Sequence, residues 1–459
     1  MTFNATSLRI VGLAASILLS LAANAQPVFD TPANGFKGKV VARSANPVPG
    51  SNAEIIGSQF VPGQRVDLLR GQTVLTSAPI TVDADGQFKT TLTIPADAVP
   101  GQHPLVVRAS NPAAAAVATL RVSPALPLSG QSMFDIVSQP LVRGLYQSDY
   151  SAASNALFVT AAVGRPPVTQ SQLVKVDPQT LQVIKAVTPA PVPGGRGGSV
   201  HAVYGVGVDD AHGTVWVTNT RQNSVAVYRQ SDLSLVRQFA VDAVPHARDV
   251  VVDSQRGRAY VSATGEDFVA VFDTATLSPL EPITLASGVD DGQFSPMSLA
   301  LDAGSGKVYT VSMSTGELAV IDGAAGKVEK IIALPNAQGA SGVAFDAARN
   351  RVLVASQGSD NLLIVDPASG RVLHDVPVGA GALNVAFEPV TGLAYVSSRG
   401  AGTVTVVDGQ GRVVANLAGG TFPNHVRADG KGGVFAVNKS QGTDDPHGDH
   451  LTRITPHSP

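Results

Sequence analysis

The sequence predicts an all-β chain in two parts, and three observations carry that prediction. A short pattern recurs seven times between Tyr146 and the C-terminus: an aromatic or aliphatic residue, then Val or Ala, then Thr, Ser or Asn. Each copy sits in a unit of about 40–50 residues, the period of a β-propeller blade. Ahead of the repeats, short alternating runs broken by turn residues read as a small β-sandwich. The predicted architecture is therefore a seven-bladed β-propeller preceded by a small immunoglobulin-like β-sandwich. A propeller exists because one small sheet cannot bury both of its faces, whereas sheets set in a ring cover each other and leave only short edges.

Residues 1–25 read as a secretory signal. Arg9 supplies a basic start, Ile10 to Leu21 is an apolar run too short to span a bilayer, and Ala23-Asn24-Ala25 is a small-residue cleavage site. Periplasmic or secreted localisation is expected, with Gln26 as the first mature residue. No later run approaches the ~20 apolar residues of a membrane-spanning helix. The chain has 459 residues, 44% hydrophobic and 15% charged, enough for more than one domain. Its formal charge of −3 implies no strong field for polyanions. The absence of cysteine excludes disulfides, thiolate metal sites and c-type haem.

Residues 26–37 form a Pro-containing lead-in. Residues 38–123 carry the sandwich pattern: Arg65 to Leu69 and Phe88 to Ile94 alternate, and Asp83-Ala84-Asp85-Gly86 is a tight turn with Gly86 available for positive φ. Pro124, Pro127 and Gly130 mark a linker over 124–132. The propeller occupies 133–456. Its innermost strands end at Ser151, Asp209, Asp253, Asp302, Asp346, Glu388 and Asp429. The first interval is lengthened by insertions around Gly164–Ser171 and Pro189–Ser199. The last copy lacks an outer strand, which Phe134 to Val137 can supply, closing the ring and removing an exposed edge. Asp177, Asp273, Asp322, Asp366 and Asp408 end the third strands and are expected to cap turns. Trp216, the only tryptophan, reads as packing.

These repeats resemble the YVTN-type seven-bladed propellers, and the order of insertions resembles the YncE-like periplasmic proteins. The stretches that carry the resemblance are Val174 to Leu181, Val215 to Asn219, Pro296 to Asp302, Phe422 to His425 and Asn438 to Gln441. The resemblance covers about residues 131–456, and the added immunoglobulin-like module departs from the minimal pattern. It implies a non-catalytic exported propeller, with single-stranded DNA binding and a link to iron supply among the roles suggested for relatives.

Loops entering the innermost strands are the default ligand face of such a fold. Five positions before the strand ends stand Tyr146, Tyr204, Arg248 and Asn424; four before stand Asp249, Asn384 and His425. Strand alternation predicts that one of these two rings faces the channel mouth. With Arg399 from a neighbouring loop they make a candidate polar-aromatic cup. Loops of the same face add His201, His246, Arg165, Arg196, Arg221 and Lys439, and also Glu266, Asp267, Asp290, Asp291, Asp360, Asp444, Asp445 and Asp449. Acids at least match bases there, which disfavours DNA, because nucleic-acid affinity depends on phosphate neutralisation.

The densest set of potential metal ligands is Asp444, Asp445, His447, Asp449 and His450, whose donor types suit a divalent ion such as zinc, although the spacing matches no defined motif. No cofactor is otherwise expected. No nucleophile elbow, phosphate-cradling loop or zinc-protease motif is present, so no catalytic residues are assigned. The expected function is a monomeric binding or scaffold protein for a protein or small-molecule ligand. The alternative is a metal-dependent hydrolase or lactonase acting at the channel mouth.

Overall fold

The computed structural model describes residues 34–43 and 46–457. The signal sequence over 1–25 and most of the lead-in over 26–37 lie outside the described residues. The chain divides into two compact units. One comprises Ile55–Thr90 and Pro104–Ala118 with the chain before Ala42; the other comprises Ala42–Glu54, Thr91–His103 and Thr119–Pro459. No described helix is long and apolar enough to cross a membrane.

In the first unit, strand Arg65–Arg70 buries Val66 and Leu68, leaves Asp67 between them half-buried and exposes Arg65 and Arg70, the period expected of a half-covered strand. Phe60 meets Phe36 and Phe88 edge to face, each pair at 5.2 Å. The Asp83–Gly86 turn forms as its sequence demands. Asp83 Oδ1 accepts from the amides of Asp85 and Gln87, and Gly86 has φ +73°, where a side chain would also strike the Phe60 carbonyl. Strands between Lys39 and Val122 form one three-stranded and one five-stranded sheet.

In the second unit, four-stranded antiparallel sheets follow one another along the chain. The first comprises Leu145–Ser151, Ala156–Ala162, Ser171–Val176 and Val183–Val187. The next five begin with inner strands Val206–Asp209, Ala247–Asp253, Pro296–Asp302, Ala340–Asp346 and Ala382–Glu388. All six of these strands end where the repeat predicts. The last sheet starts at Pro423–Ala428, one residue short of the expected Asp429. Its fourth strand is Phe134–Pro140, paired antiparallel with His450–Pro456, the pairing expected of the closing strand. Each inner strand lies against the inner strand of the next sheet, and the last lies against the first.

Burial follows from this order. The second strands are covered on both faces, so Ala156–Ala162 and Thr214–Asn219 are buried at every position, whereas the outer strand Val183–Val187 is mostly exposed. Apolar side chains pack between consecutive sheets. Trp216 sits against Phe239 at 6.1 Å and Phe272 at 5.7 Å, fully buried between the second and third. Leu157 packs with Phe435 and Leu451 between the first and last. Each fully buried side chain of this size contributes about 1.5–3 kcal/mol. The blade-end aspartates cap turns: Asp177 Oδ1 accepts from the amides of Gln179 and Thr180, and Asp273 Oδ1 from those of Ala275 and Thr276. These amides hold both carboxyls below the usual carboxylate range.

Candidate functional site

The geometry of the channel mouth begins with an irregularity that repeats around the ring. The inner strands slip register near their starts, between Leu145 and Ser148, Ala247 and Val250, Pro296 and Leu299, Ala382 and Asn384, and Pro423 and His425. Each slip places extra residues against the partner strand, a bulge that re-aims side chains. The bulges fall on the two rings singled out in the sequence. The two rings take different jobs.

The upper ring forms a cationic and aromatic cup. Tyr146 and Tyr204 meet edge to face at 4.6 Å. Arg248 Nη1 donates to the Tyr146 hydroxyl at 2.7 Å, with its guanidinium 5.0 Å from the ring centre. Lys439 Nζ lies 4.6 Å from the same ring, and Arg221 stands 5.9 Å from the ring of Tyr204. Arg399 donates to Asn424 Oδ1 at 3.1 Å, and Asn424 Nδ2 donates to the Tyr146 carbonyl at 2.6 Å. Side chains from four neighbouring sheets thus gather around the phenol that the first sheet supplies. Among the described residues no carboxylate pairs with Arg221, Arg248, Arg399 or Lys439.

The crowding shows in the titration of these groups. Burial works to raise the Tyr146 phenol, but Arg248, Lys439 and Arg399 outweigh it and hold the phenol below its ordinary value. Burial pushes Lys439 down, and Arg399 and Arg248 add to that; burial and Arg248 likewise lower Arg399. His246 on the same face is lowered by partial desolvation, then by Arg248 and Arg221.

The lower ring holds the sheets together. Asp249 accepts from the Leu299 amide at 2.9 Å, Asn384 from the Val426 amide at 3.0 Å, and His425 Nδ1 from the Ser148 amide at 3.3 Å. Each bond runs from one inner strand to the backbone of the next. Asp149, which the sequence did not single out, does the same for the Val208 amide and pairs with Arg427 at 2.6 Å. Burial raises both Asp149 and Asp249 and pushes His425 down to about 3, with Arg427 and Arg248 adding to the last. Asp249, Asn384, His425 and Arg427 line a channel cavity of about 340 Å³. The structure brings together Tyr146, Tyr204, Arg248, Arg399 and Asn424, and sets Asp249, Asn384 and His425 beneath them as backbone acceptors.

The acidic loop near the C-terminus spends its carboxylates locally. Asp445 accepts from Gln441, His447 and Thr421; Asp449 accepts from Gly144 and twice from Ser440; Asp444 accepts from Thr443. His450 Nδ1 meets the Gly448 carbonyl at 2.9 Å. Among the described residues no group of three or more His, Asp or Glu side chains stands close enough to hold a metal ion.

Phe422 was not among the candidate residues. It has φ +45°, a left-handed conformation costly for a bulky residue, and its ring lies 5.0 Å from the Arg399 guanidinium. No sequence pattern marks such a backbone.

No protein-family model matches the chain. It is 26% identical over 209 residues to the uncharacterised protein YncE of Escherichia coli O157:H7, a match to 44% of this chain and 54% of that protein. It is 25% identical over 203 residues to the YncE of Salmonella typhi. The chain thus spans about half the length of the curated relatives it matches. Among solved structures, Kuenenia stuttgartiensis hydrazine synthase superposes with a TM-score of 0.56 at 16% identity, covering 69% of this chain and 96% of that one. Virginiamycin B lyase from Staphylococcus aureus superposes at 0.55 and 11% identity, covering 70% and 99%. The chain is an all-β protein of the β-propeller kind with weak homology to YncE, and the structural likenesses at these identities concern the fold alone.

Proposed function

We propose that this chain is an exported, non-catalytic binding protein whose ligand sits at the channel mouth of a seven-bladed propeller, with an immunoglobulin-like module ahead of it. The observation that carries the reading is the cup around Tyr146, where Arg248, Lys439 and Arg399 crowd one phenol and none of the three is in ion-pair contact with a carboxylate. Crowding like charges is unfavourable for folding, and such perturbed groups concentrate at functional sites. Concave mouths are also where ligands settle in this class of architecture. Export is supported by the basic, apolar and small-residue order of the first 25 residues. The kinship with YncE supports the propeller and leaves the ligand open, and the lyase and synthase chemistry of the structural neighbours is not carried over at 10–16% identity.

The test is a thermal-shift screen of the mature chain against small metabolites of every charge class, run beside a Tyr146→Ala/Tyr204→Ala variant. A ligand that binds only the native state raises the melting temperature in proportion to its affinity. The reading expects at least one class to stabilise the wild type and not the variant. Equal stabilisation of both proteins would place binding elsewhere.

A further inference from the structure

We propose that the mouth holds a small ligand by a compact oxyanion, a carboxylate or a phosphate, seated among Arg248, Arg399 and Lys439 beside Tyr146. The proposal rests on the binding role above and names the class of ligand it takes. Three observations on the donors of the cup carry it.

The cup has donors to spare. Arg248 spends one nitrogen on the Tyr146 hydroxyl, and its Nε is buried with no hydrogen-bond partner. Arg399 spends one on Asn424. Lys439 is held at 4.6 Å over the Tyr146 ring; Asp449 nearby supports its charge without an ion-pair contact and accepts hydrogen bonds from Gly144 and Ser440. A buried donor left unmade costs about 1–3 kcal/mol, and a guanidinium fork matches the two oxygens of a carboxylate or phosphate.

The cations are also held in place. Asn424 is locked between Arg399 and the Tyr146 carbonyl, and Phe422 keeps its left-handed backbone beneath the Arg399 guanidinium. Gly205 lets the inner strands close up beside Arg248, since a side chain there would come within 2.6 Å of the Arg248 carbonyl. Fixed donors lose little freedom on binding.

The attraction is local. Exposed Glu266, Asp267, Asp290, Asp291 and Asp444 belong to the loops of the same face. They repel an extended polyanion that would have to cross them, whereas a compact anion enters the cup alone.

The experiment is calorimetric titration of the mature full-length chain with benzoate, phenyl phosphate, inorganic phosphate, neutral benzyl alcohol and a short oligothymidylate. One-to-one binding of benzoate or phenyl phosphate is expected, weakening as salt rises. It should fall about tenfold or more in Arg248→Gln and in Lys439→Gln, with Lys327→Gln on an outer strand unchanged. Circular dichroism and melting temperature establish that each variant is folded, and the two single variants serve as checks on each other. Preference between benzoate and phenyl phosphate decides carboxylate against phosphate. Silence from all three anions at millimolar concentration, or binding that both mouth variants retain, overturns the proposal. So does binding of the oligonucleotide alone. If benzyl alcohol binds, is lost in Tyr146→Ala, and the anions are silent, the binding role survives and the oxyanion does not.

Discussion

Arg248 Nη1 donates a 2.7 Å hydrogen bond to the Tyr146 hydroxyl, joining the third inner strand to the first across the top of the channel. The bond is charge-assisted, and it sets the position of the one guanidinium in the cup with a buried, unpartnered Nε. Tyr146→Phe removes the acceptor and leaves the ring. The expected loss is about 1–2 kcal/mol in urea unfolding, because Arg248 loses its partner and stays partly buried. Unchanged stability would mean that solvent replaces the hydroxyl freely.

Gly205 is required by close approach. Its neighbours are the Arg248 carbonyl at 2.6 Å and Thr218 Oγ1 at 2.7 Å from where a Cβ would sit. Gly205→Ala should therefore displace the strand that carries Arg248 and cost about 1–3 kcal/mol. Ligand affinity at the mouth should fall with it, whereas Gly430→Ala, at a position with open space, should cost through backbone strain only and leave affinity unchanged.

His425 makes stability depend on pH. Its folded pKa of about 3 lies below the ordinary 6.5, so the native state keeps it neutral while the unfolded state takes a proton as pH falls. Stability from this residue is fully present above about pH 6.5 and is lost as pH falls toward 3, on the order of 3 kcal/mol between pH 7 and 4. Asp149 and Asp249, raised by burial, work in the opposite direction over the acid range. The difference between wild type and His425→Gln isolates the histidine: the variant should lose less stability from pH 7 to 4, measured by denaturant midpoint.

The closing strand can be tested at Phe134, which is buried and meets Tyr395 edge to face at 6.5 Å. Phe134→Ala should cost about 3–5 kcal/mol, a core-sized loss from a residue whose pairing partner is Pro456, at the far end of the sequence. A loss under about 1 kcal/mol would show that the ring stays shut without it.

Much of this fold was legible because repeats amplify a weak signal. One run such as Ala394-Tyr395-Val396-Ser397 is only a strand; seven in units of similar length predict ring neighbours, and six inner-strand ends fall where the repeat puts them. The closing pair Phe134–Pro140 and His450–Pro456 followed from counting strands. The site was legible as a list of residues and not as an arrangement. Alternation does not say which of the two rings faces the mouth, and bulges fall on both: Tyr146 and Arg248 stand in the cup while Asp249 and His425 accept from neighbouring backbones. Counting acids against bases gives no placement: Asp445 and Asp449 accept from local amides and hydroxyls and make no ion pair with the cations of the cup. The left-handed Phe422 left no trace in the sequence.

The most direct measurement is the titration of Tyr146 by NMR of ring-labelled tyrosine, with its signal assigned by its loss in Tyr146→Phe. An electropositive cup predicts that Tyr146 ionises below the ordinary tyrosine range, and that Arg248→Met moves it up. Saturating phenyl phosphate should move it up as well, by placing negative charge among the same cations. A Tyr146 that titrates at or above the ordinary value, or that ignores both the substitution and the anion, would contradict the account.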